Sequence, residues 1–344
     1  MPIPTRTCTR AVVVAERVRA GGEVLQLTAA RSLSRERRPV PEAAANEVVV
    51  APLAVGLCGT DLHAWRGRLD RCPIVPTHDG VAEVIEVGPG GDTSLLGRRV
   101  VIDPVDACGA CTSCRRGHVG VCTDGGYLGM TIDGLLAERV ALPAARVVRV
   151  PNHISDMDAT VLEPVAIGCR IVALTQALGS QPAACVIIGG GPLGLLVGSV
   201  LLHVGWSVTV VEPQPARRKI AEQLRMSAVA PDDVSDSRAH LVVETSAAAP
   251  GTAAALRAAA PGAVVVILGR STGGMSSAEI LLRELTVVGL RGGSGFYAAA
   301  VQLVANGAVT PSAVISHIFD RNDVERAFAA HDGDASPLRA VLRR

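Results

Sequence analysis

The sequence predicts an α/β chain with two architectures in succession: a predominantly β, barrel-like unit, then a doubly wound parallel sheet with helices on both faces. Three observations predict it. Short Val-rich segments divided by Gly and Pro occupy the chain to about Pro151, a spacing that suits a barrel-like β unit. From Ser155 the apolar residues recur at helical spacing. Further on, unbroken aliphatic runs alternate with helical stretches, and strands that read this way are buried on both faces, as parallel strands are. At 344 residues the chain exceeds the usual size of one core, so two units are the starting expectation.

In the first unit the strand candidates are "AVVVAERV" (11–18), "NEVVVAPLAVGL" (46–57), "GVAEVIEVG" (80–88), "RRVVIDP" (98–104) and "AERVALPAARVVRV" (137–150). The arginine-rich "RSLSRERR", Arg31 to Arg38, reads as a solvated loop within an exposed elaboration from Ala20 to Asn46. A helix is expected over 155–178, with Ser155 and Asp156 as cap candidates. Strands follow at "ACVIIGG", "SVTVVE", "HLVVET", "AVVVILG" and "LTVVGL", with helices at "PLGLLVGSVLLHVG", "PARRKIAEQL" and "TAAALRAAA". After about Arg291 come two helices, "FYAAAVQLVANGAV" and "VERAFAAHDG", and a terminal strand, "PLRAVLRR". The tail is expected to return to the first unit, dividing the chain into 1–152, 153–292 and 293–344.

Composition excludes several classes of partner. A formal charge of +1 with interspersed signs provides no footprint for nucleic acid or an anionic membrane. No amino-terminal segment has the pattern of a signal peptide, and the longest apolar runs fall short of the about 20 residues that span a bilayer. A soluble cytoplasmic protein is expected. The cysteine count is nine, an odd number, and four of them crowd into 15 positions, which favours metal binding in a reducing compartment over a disulfide framework.

Those four stand in "CGACTSCRRGHVGVC": Cys108, Cys111, Cys114 and Cys122, within a lobe of residues 106–124. Four thiolates gathered by short turns complete a tetrahedral zinc shell and leave no open position, the pattern of a structural site. An iron–sulfur cluster uses similarly close cysteines and is the rival reading. A second motif, "CVIIGGGPLGLL", sets Gly189, Gly191 and Gly194 as G-x-G-x-x-G between an apolar strand and an apolar helix, with Pro192 and Leu193 opening the helix. A dinucleotide pyrophosphate needs this turn, close backbone approach and helix N-terminus. Glu212 ends the next strand about 20 residues on, where a carboxylate accepts from the adenosine ribose hydroxyls and disfavours a 2′-phosphate. NAD is therefore expected over NADP; Arg217 and Arg218 nearby are the alternative, a 2′-phosphate site.

A dispersed third set comprises Cys58, Thr60, Asp61 and His63 in "GLCGTDLHAW", His78 and Asp79 in "PTHDG", and Glu163 in "LEPVAIG". Taken together, "GLCGTDLH", "THD", the four-cysteine lobe, "EP" before a helix, the Gly-rich turn and "ELTVVGLRG" resemble, in that order and over nearly the whole chain, the zinc-dependent medium-chain dehydrogenase/reductase superfamily, especially its polyol and threonine dehydrogenase branch. The resemblance implies a GroES-like β domain, a Rossmann domain and a cleft between them, with two zinc ions per chain. It makes Cys58 and His78 catalytic zinc ligands and puts Glu163 where the branch has an acid near the metal. Thr60 and His63 match a proton relay, and Asp79 replaces the family's Glu in "GHE", one methylene shorter, which favours a place behind the metal ligands. Thr77 replaces its Gly. Trp65, Tyr127 and Arg291 are candidate substrate contacts by position. The implied activity is oxidation of a polyol, cyclitol, sugar-derived alcohol or hydroxy amino acid by a homodimer or homotetramer; the alternatives are an NADPH-dependent carbonyl reductase and a silent binding member.

Overall fold

In a computed structural model, residues 21–68, 71–234, 236, 238–333 and 338–344 are described; the strand expected at 11–18 lies outside them. A hairpin opens the described chain, β1 (Gly22–Ala29) against β2 (Ser32–Arg38). The segment expected to be a solvated loop is thus a strand. Its alternating Arg and polar residues keep one face in water, and pairing with "EVLQL" supplies the backbone partners that an isolated reading of charge density overlooks.

The first large sheet uses β3 (Glu47–Leu57), β4 (Asp79–Val87) and β5 (Arg99–Ile102). The short α1 (Gly59–Trp65) follows β3. Beyond β5 come β6 (Val105–Asp106), the one-turn α2 (Thr112–Arg115) inside the cysteine lobe, and β7 (Gly126–Tyr127), which pairs with β6. Then β8 (Val140–Pro143) pairs with β3, and β9 (Val147–Arg149) with β5. The β3 register against β4 shifts between Pro52 and Ala54, because Pro52 has no N–H to donate to the ladder.

The helix expected over 155–178 is two: α3 (Asp156–Thr160) and α4 (Glu163–Ala177). Pro164 is the cause. Its ring would clash with the carbonyl four residues back, that of Thr160, so the helix must stop and restart. Next come β10 (Ala184–Ile188), α5 (Pro192–His203), β11 (Ser207–Val211), α6 (Pro215–Gln223) and β12 (Ser227–Val229). They are followed by β13 (Ala239–Glu244), α7 (Gly251–Ala258), β14 (Ala259–Ile267), α8 (Ser277–Leu282) and β15 (Thr286–Gly289). The strands form a six-stranded sheet in the order β12-β11-β10-β13-β14-β15, every pair parallel. Its core includes Val210, Leu241, Val243 and Val266, all fully buried; each such side chain contributes about 1.5–3 kcal/mol of burial energy. β12 and α8 escaped the sequence reading. The first is three residues long, and the second buries no residue, so neither carries a periodic signal.

The carboxyl-terminal α9 (Tyr297–Ala305) packs on α4. β16 (His317–Asp320), α10 (Val324–Asp332) and β17 (Ala340–Arg343) return to the first sheet, which runs β16-β17-β3-β4-β5-β9. The tail therefore completes that sheet, with Leu342 opposite Val55.

Candidate active site

Sheet register brings together residues that are remote in sequence. Gly56 on β3 lies opposite Asp79 on β4. Cys58, two residues beyond Gly56, and His78, one before Asp79, therefore emerge at the same end of the sheet. Glu163 joins them from the first turn of α4, whose new start is set by Pro164. Cys58 Sγ and His78 Nε2 are 3.7 Å apart, and His78 Nε2 and Glu163 Oε2 are 3.2 Å apart. All three residues are buried. Tetrahedral zinc, with bonds of about 2.0–2.3 Å, holds its ligand atoms at about such separations, so His78 Nε2 stands at metal-sharing distance from both Cys58 and Glu163, which belong to two donor groups that overlap at His78.

The electrostatics agree. Burial opposes protonation of His78, but Cys58 and Glu163 outweigh it and hold the imidazole well above its ordinary value. For Glu163, burial raises the carboxyl, while His78 and the Tyr127 hydroxyl more than offset that and leave it below the usual range. Two potential anions converging on one imidazole form a charge pattern that a dication neutralises. Tyr127 donates its hydroxyl hydrogen to Glu163 Oε1; burial first, then the Glu163 charge, pushes the phenol well above its ordinary pKa, so it remains a donor.

Asp79 lies within reach of the cluster but forms a buried ion pair with Arg339. Arg339 comes from the segment entering β17, over 250 residues away, and no sequence signal marked it. In the lobe, the sulfurs of Cys108, Cys111, Cys114 and Cys122 lie within 4.8 Å of one another, with Cys111 and Cys122 at 3.9 Å. Backbone N–H groups of Thr123 and Cys114 pull the Cys111 thiol down to about 5, while burial and the neighbouring thiols push Cys114 up to about 12. Four thiols in that spacing fit a tetrahedral metal, and no disulfide forms among the described cysteines.

Two cavities meet at this point. One, of about 350 Å³, is lined by Cys58, Thr60, His63, Gly191, Pro192, Leu193 and Arg217. It sits beside β10, flanked by β11 on one side and β13 on the other, the switch point at which open parallel sheets bind ligands. Gly189 has φ 106°, a conformation open to glycine. A Cβ on Gly194 would stand 2.0 Å from the Gly189 carbonyl oxygen, so helix and turn require its absence. Glu212 is buried, with Oε2 accepting from Gly190 N–H at 2.8 Å and Oε1 from Gln214 N–H at 2.9 Å. Arg218 donates to the carbonyls of Glu212 and Pro213, leaving Arg217 as the arginine of the pair that lines the cavity.

The second cavity, of about 650 Å³, is lined by Thr60, His78, Tyr127, Glu163 and Arg291, by His118 of the cysteine lobe, and by Arg170 and Arg270, which no sequence motif marks. Trp65 is elsewhere. It is buried and stacks on Phe328 with ring centroids 5.0 Å apart. Two steps along a helix turn a side chain by about 200°, so Trp65 faces the core while His63 faces the cleft.

Comparison with known proteins agrees with this geometry. Residues 44–152 match the alcohol dehydrogenase GroES-like domain, and residues 192–306 match the zinc-binding dehydrogenase family. The chain is 30% identical over 313 residues to L-threonine 3-dehydrogenase of Pyrococcus furiosus, covering 84% of this chain and 89% of that one. It is 28% identical over 308 residues to 2-dehydro-3-deoxy-L-galactonate 5-dehydrogenase of Pseudoalteromonas atlantica, again covering 84% and 89%. Its fold matches an Escherichia coli CFT073 alcohol dehydrogenase complexed with NADH, at TM-score 0.85, 24% identity and coverage of 94% and 99%. It also matches a Sinorhizobium meliloti 1021 zinc-binding dehydrogenase bound to NADP, at TM-score 0.86, 24% identity and coverage of 95% and 100%. With both family models matched and the metal-fitting cluster seated where the two cavities join, the chain belongs to the zinc-dependent medium-chain dehydrogenase/reductase superfamily and is an NAD(P)-dependent alcohol oxidoreductase.

Proposed function

We propose that the chain oxidises a secondary alcohol of the polyol, cyclitol, sugar-derived or hydroxy amino acid class with NAD, using Cys58, His78 and Glu163 to hold a catalytic zinc. The observation that carries this reading is the convergence of those three donors where the two cavities meet, with Thr60 lining both. Bound zinc supplies a Lewis acid that lowers the proton affinity of an alcohol oxygen, and bound NAD supplies the hydride acceptor. Thr60 receives the alcohol proton and passes it toward His63, which borders the cofactor cavity and is partly open to solvent. Tyr127 holds Glu163 in place, and Asp79 stands behind His78, anchored by Arg339. The four lobe cysteines hold a second zinc that shapes the cavity wall formed by His118, Gly120 and Val121.

For the cofactor, Gly189, Gly191 and Gly194 admit the pyrophosphate to the α5 N-terminus, with Pro192 and Leu193 flanking it. Glu212 favours NAD by its charge beside the ribose position, while Arg217 at the cavity wall supports the competing reading, NADP. Names of relatives favour sugar-derived alcohols and hydroxy amino acids: one acts on a deoxy-galactonate, another on threonine. We place the protein in the cytoplasm as a homodimer or homotetramer; among the described residues no helix is long and apolar enough to cross a membrane.

The test is a screen of polyols, cyclitols, amino sugars and hydroxy amino acids with NAD, following NADH appearance, on protein whose zinc has been measured. About two zinc ions per chain and turnover of one class are expected. No turnover across the panel by metal-replete protein overturns the reading. A preference for NADPH over NADH beyond about tenfold, or 1.4 kcal/mol, reverses the cofactor assignment.

A further inference from the structure

We propose that the substrate carries an anionic group, a carboxylate or a phosphate, seated by Arg170 and Arg291 across the larger cavity from Cys58, His78 and Glu163. The inference rests on the dehydrogenase reading above and narrows its substrate class. The charged groups around the cavity are unbalanced: among the described residues Arg170, Arg270 and Arg291 stand there with His118, against a single carboxylate, Glu163. That carboxylate is already engaged by His78 and Tyr127. None of the three arginines forms an ion pair with a carboxylate among the described residues. Cavities of one sign concentrate ligands of the other.

The arginines are held in place without being neutralised. Arg170 Nη1 donates to the backbone carbonyls of Arg291 and Gly292, each at 2.9 Å. This aims a guanidinium and fixes the neighbouring loop while leaving its charge intact. Arg291 lies over the Tyr127 ring, its Cζ 5.1 Å from the centroid, and the other end of that ring, the hydroxyl, meets Glu163. One phenol ring thus separates the cation from the donor cluster. A substrate with an alcohol carbon at the cluster and an anion a few carbons away spans that separation. Guanidinium groups present forked donors that match carboxylate and phosphate oxygens.

These two arginines stand apart from the Gly-rich turn. The cavity that contains the Gly-rich turn is bordered by Arg217, Arg270 and Arg339, but not by Arg170 or Arg291. Arg270, which borders both cavities, is the one a nucleotide can also use.

The experiment compares gluconate, sorbitol 6-phosphate and sorbitol, which share a carbon skeleton and differ in charge, by initial rates with NAD and by calorimetric binding to the zinc-replete, NADH-bound protein. One of the two anions is expected to bind at least tenfold more tightly than sorbitol, and which one distinguishes a carboxylate site from a phosphate site. Arg291→Ala should raise KM for that anion at least tenfold more than it raises KM for sorbitol, and Arg291→Lys should recover part of that difference. Arg170→Lys, which keeps the charge but loses the fork, should weaken the anion several-fold and guards against misfolding in Arg170→Ala. Equal binding of charged and neutral probes, or arginine variants that weaken both alike, overturns the inference while leaving the dehydrogenase intact. Arginine-dependent anion binding without turnover of any alcohol retains the inference and overturns the dehydrogenase reading.

Discussion

The carboxylate of Asp61 joins the two segments that carry Cys58 and His78: its Oδ2 accepts from Cys58 N–H and its Oδ1 from Thr77 N–H, both at 2.9 Å. Asp61 is fully buried. One side chain on the first turn of α1 therefore sets the spacing of the two donors. Hydrogen bonds to a charged group are worth about 1.5–3 kcal/mol each, so Asp61→Ala should cost about 3 kcal/mol or more in denaturant unfolding. It should also release one zinc per chain while the lobe keeps its own, as read by metal analysis. Retention of both ions would show that sheet register alone holds the pair.

Thr77 has φ 71° and is completely buried, with its hydroxyl lacking a hydrogen-bond partner among the described residues. A β-branched residue in the left-handed region stores about 1–3 kcal/mol of strain, and glycine returns less than about 1 kcal/mol of that as unfolded-state entropy. Thr77→Gly, which restores the family's residue, should raise stability by about 1 kcal/mol. A shift of the denaturation midpoint to lower denaturant would contradict this.

Asp79 and Arg339 neutralise each other in the core. Burial lowers the Arg339 pKa, with Cys58 and Asp61 opposing that shift. Removing one partner of a buried pair costs about 3–5 kcal/mol because the other charge is stranded, whereas replacing both with apolar groups costs much less. Arg339→Met should therefore unfold far more readily than the double variant Asp79→Leu with Arg339→Met. If the double variant is the weaker of the two, the pair contributes through more than mutual neutralisation.

His63 has its pKa lowered, first by burial and then by the positive charges of Arg270, Arg68 and Arg66. The neutral imidazole, the form that accepts a proton, persists below the ordinary histidine range. Alcohol oxidation should accordingly hold its rate down to a pH under 6.5 and fall below that, and His63→Gln should flatten this acidic limb. The stability contribution has the same sign: it is complete above the unfolded pKa and is lost as pH falls through the lower folded one. An acidic limb unchanged in His63→Gln would remove His63 from the relay.

Much of the fold was legible because the sequence carries its own periodicities. The aliphatic runs 184–190, 207–212 and 240–245 became parallel strands, since burial on both faces leaves no room for alternation. The four-cysteine lobe and Gly-rich turn were legible for a related reason: each completes its geometry within a few residues of chain. Trp65 was misplaced because its position after His63 says nothing about which way the helix faces, and Phe328, its stacking partner, lies over 260 residues further on. The strand over Ser32–Arg38 was missed because charge density described its exposed face and not its partner.

By itself, then, the sequence determined the main strands of the parallel sheet, the close spacing of the four lobe cysteines and the Gly-rich turn, all of which depend on local spacing. The tertiary structure decided what depends on convergence of remote chain: Asp79 against Arg339, Glu212 beneath Gly190, and Arg170, Arg270 and Arg291 around one cavity. Charges that neutralise or concentrate one another do so through distance in space, and that distance is set only once remote segments of the chain have packed together.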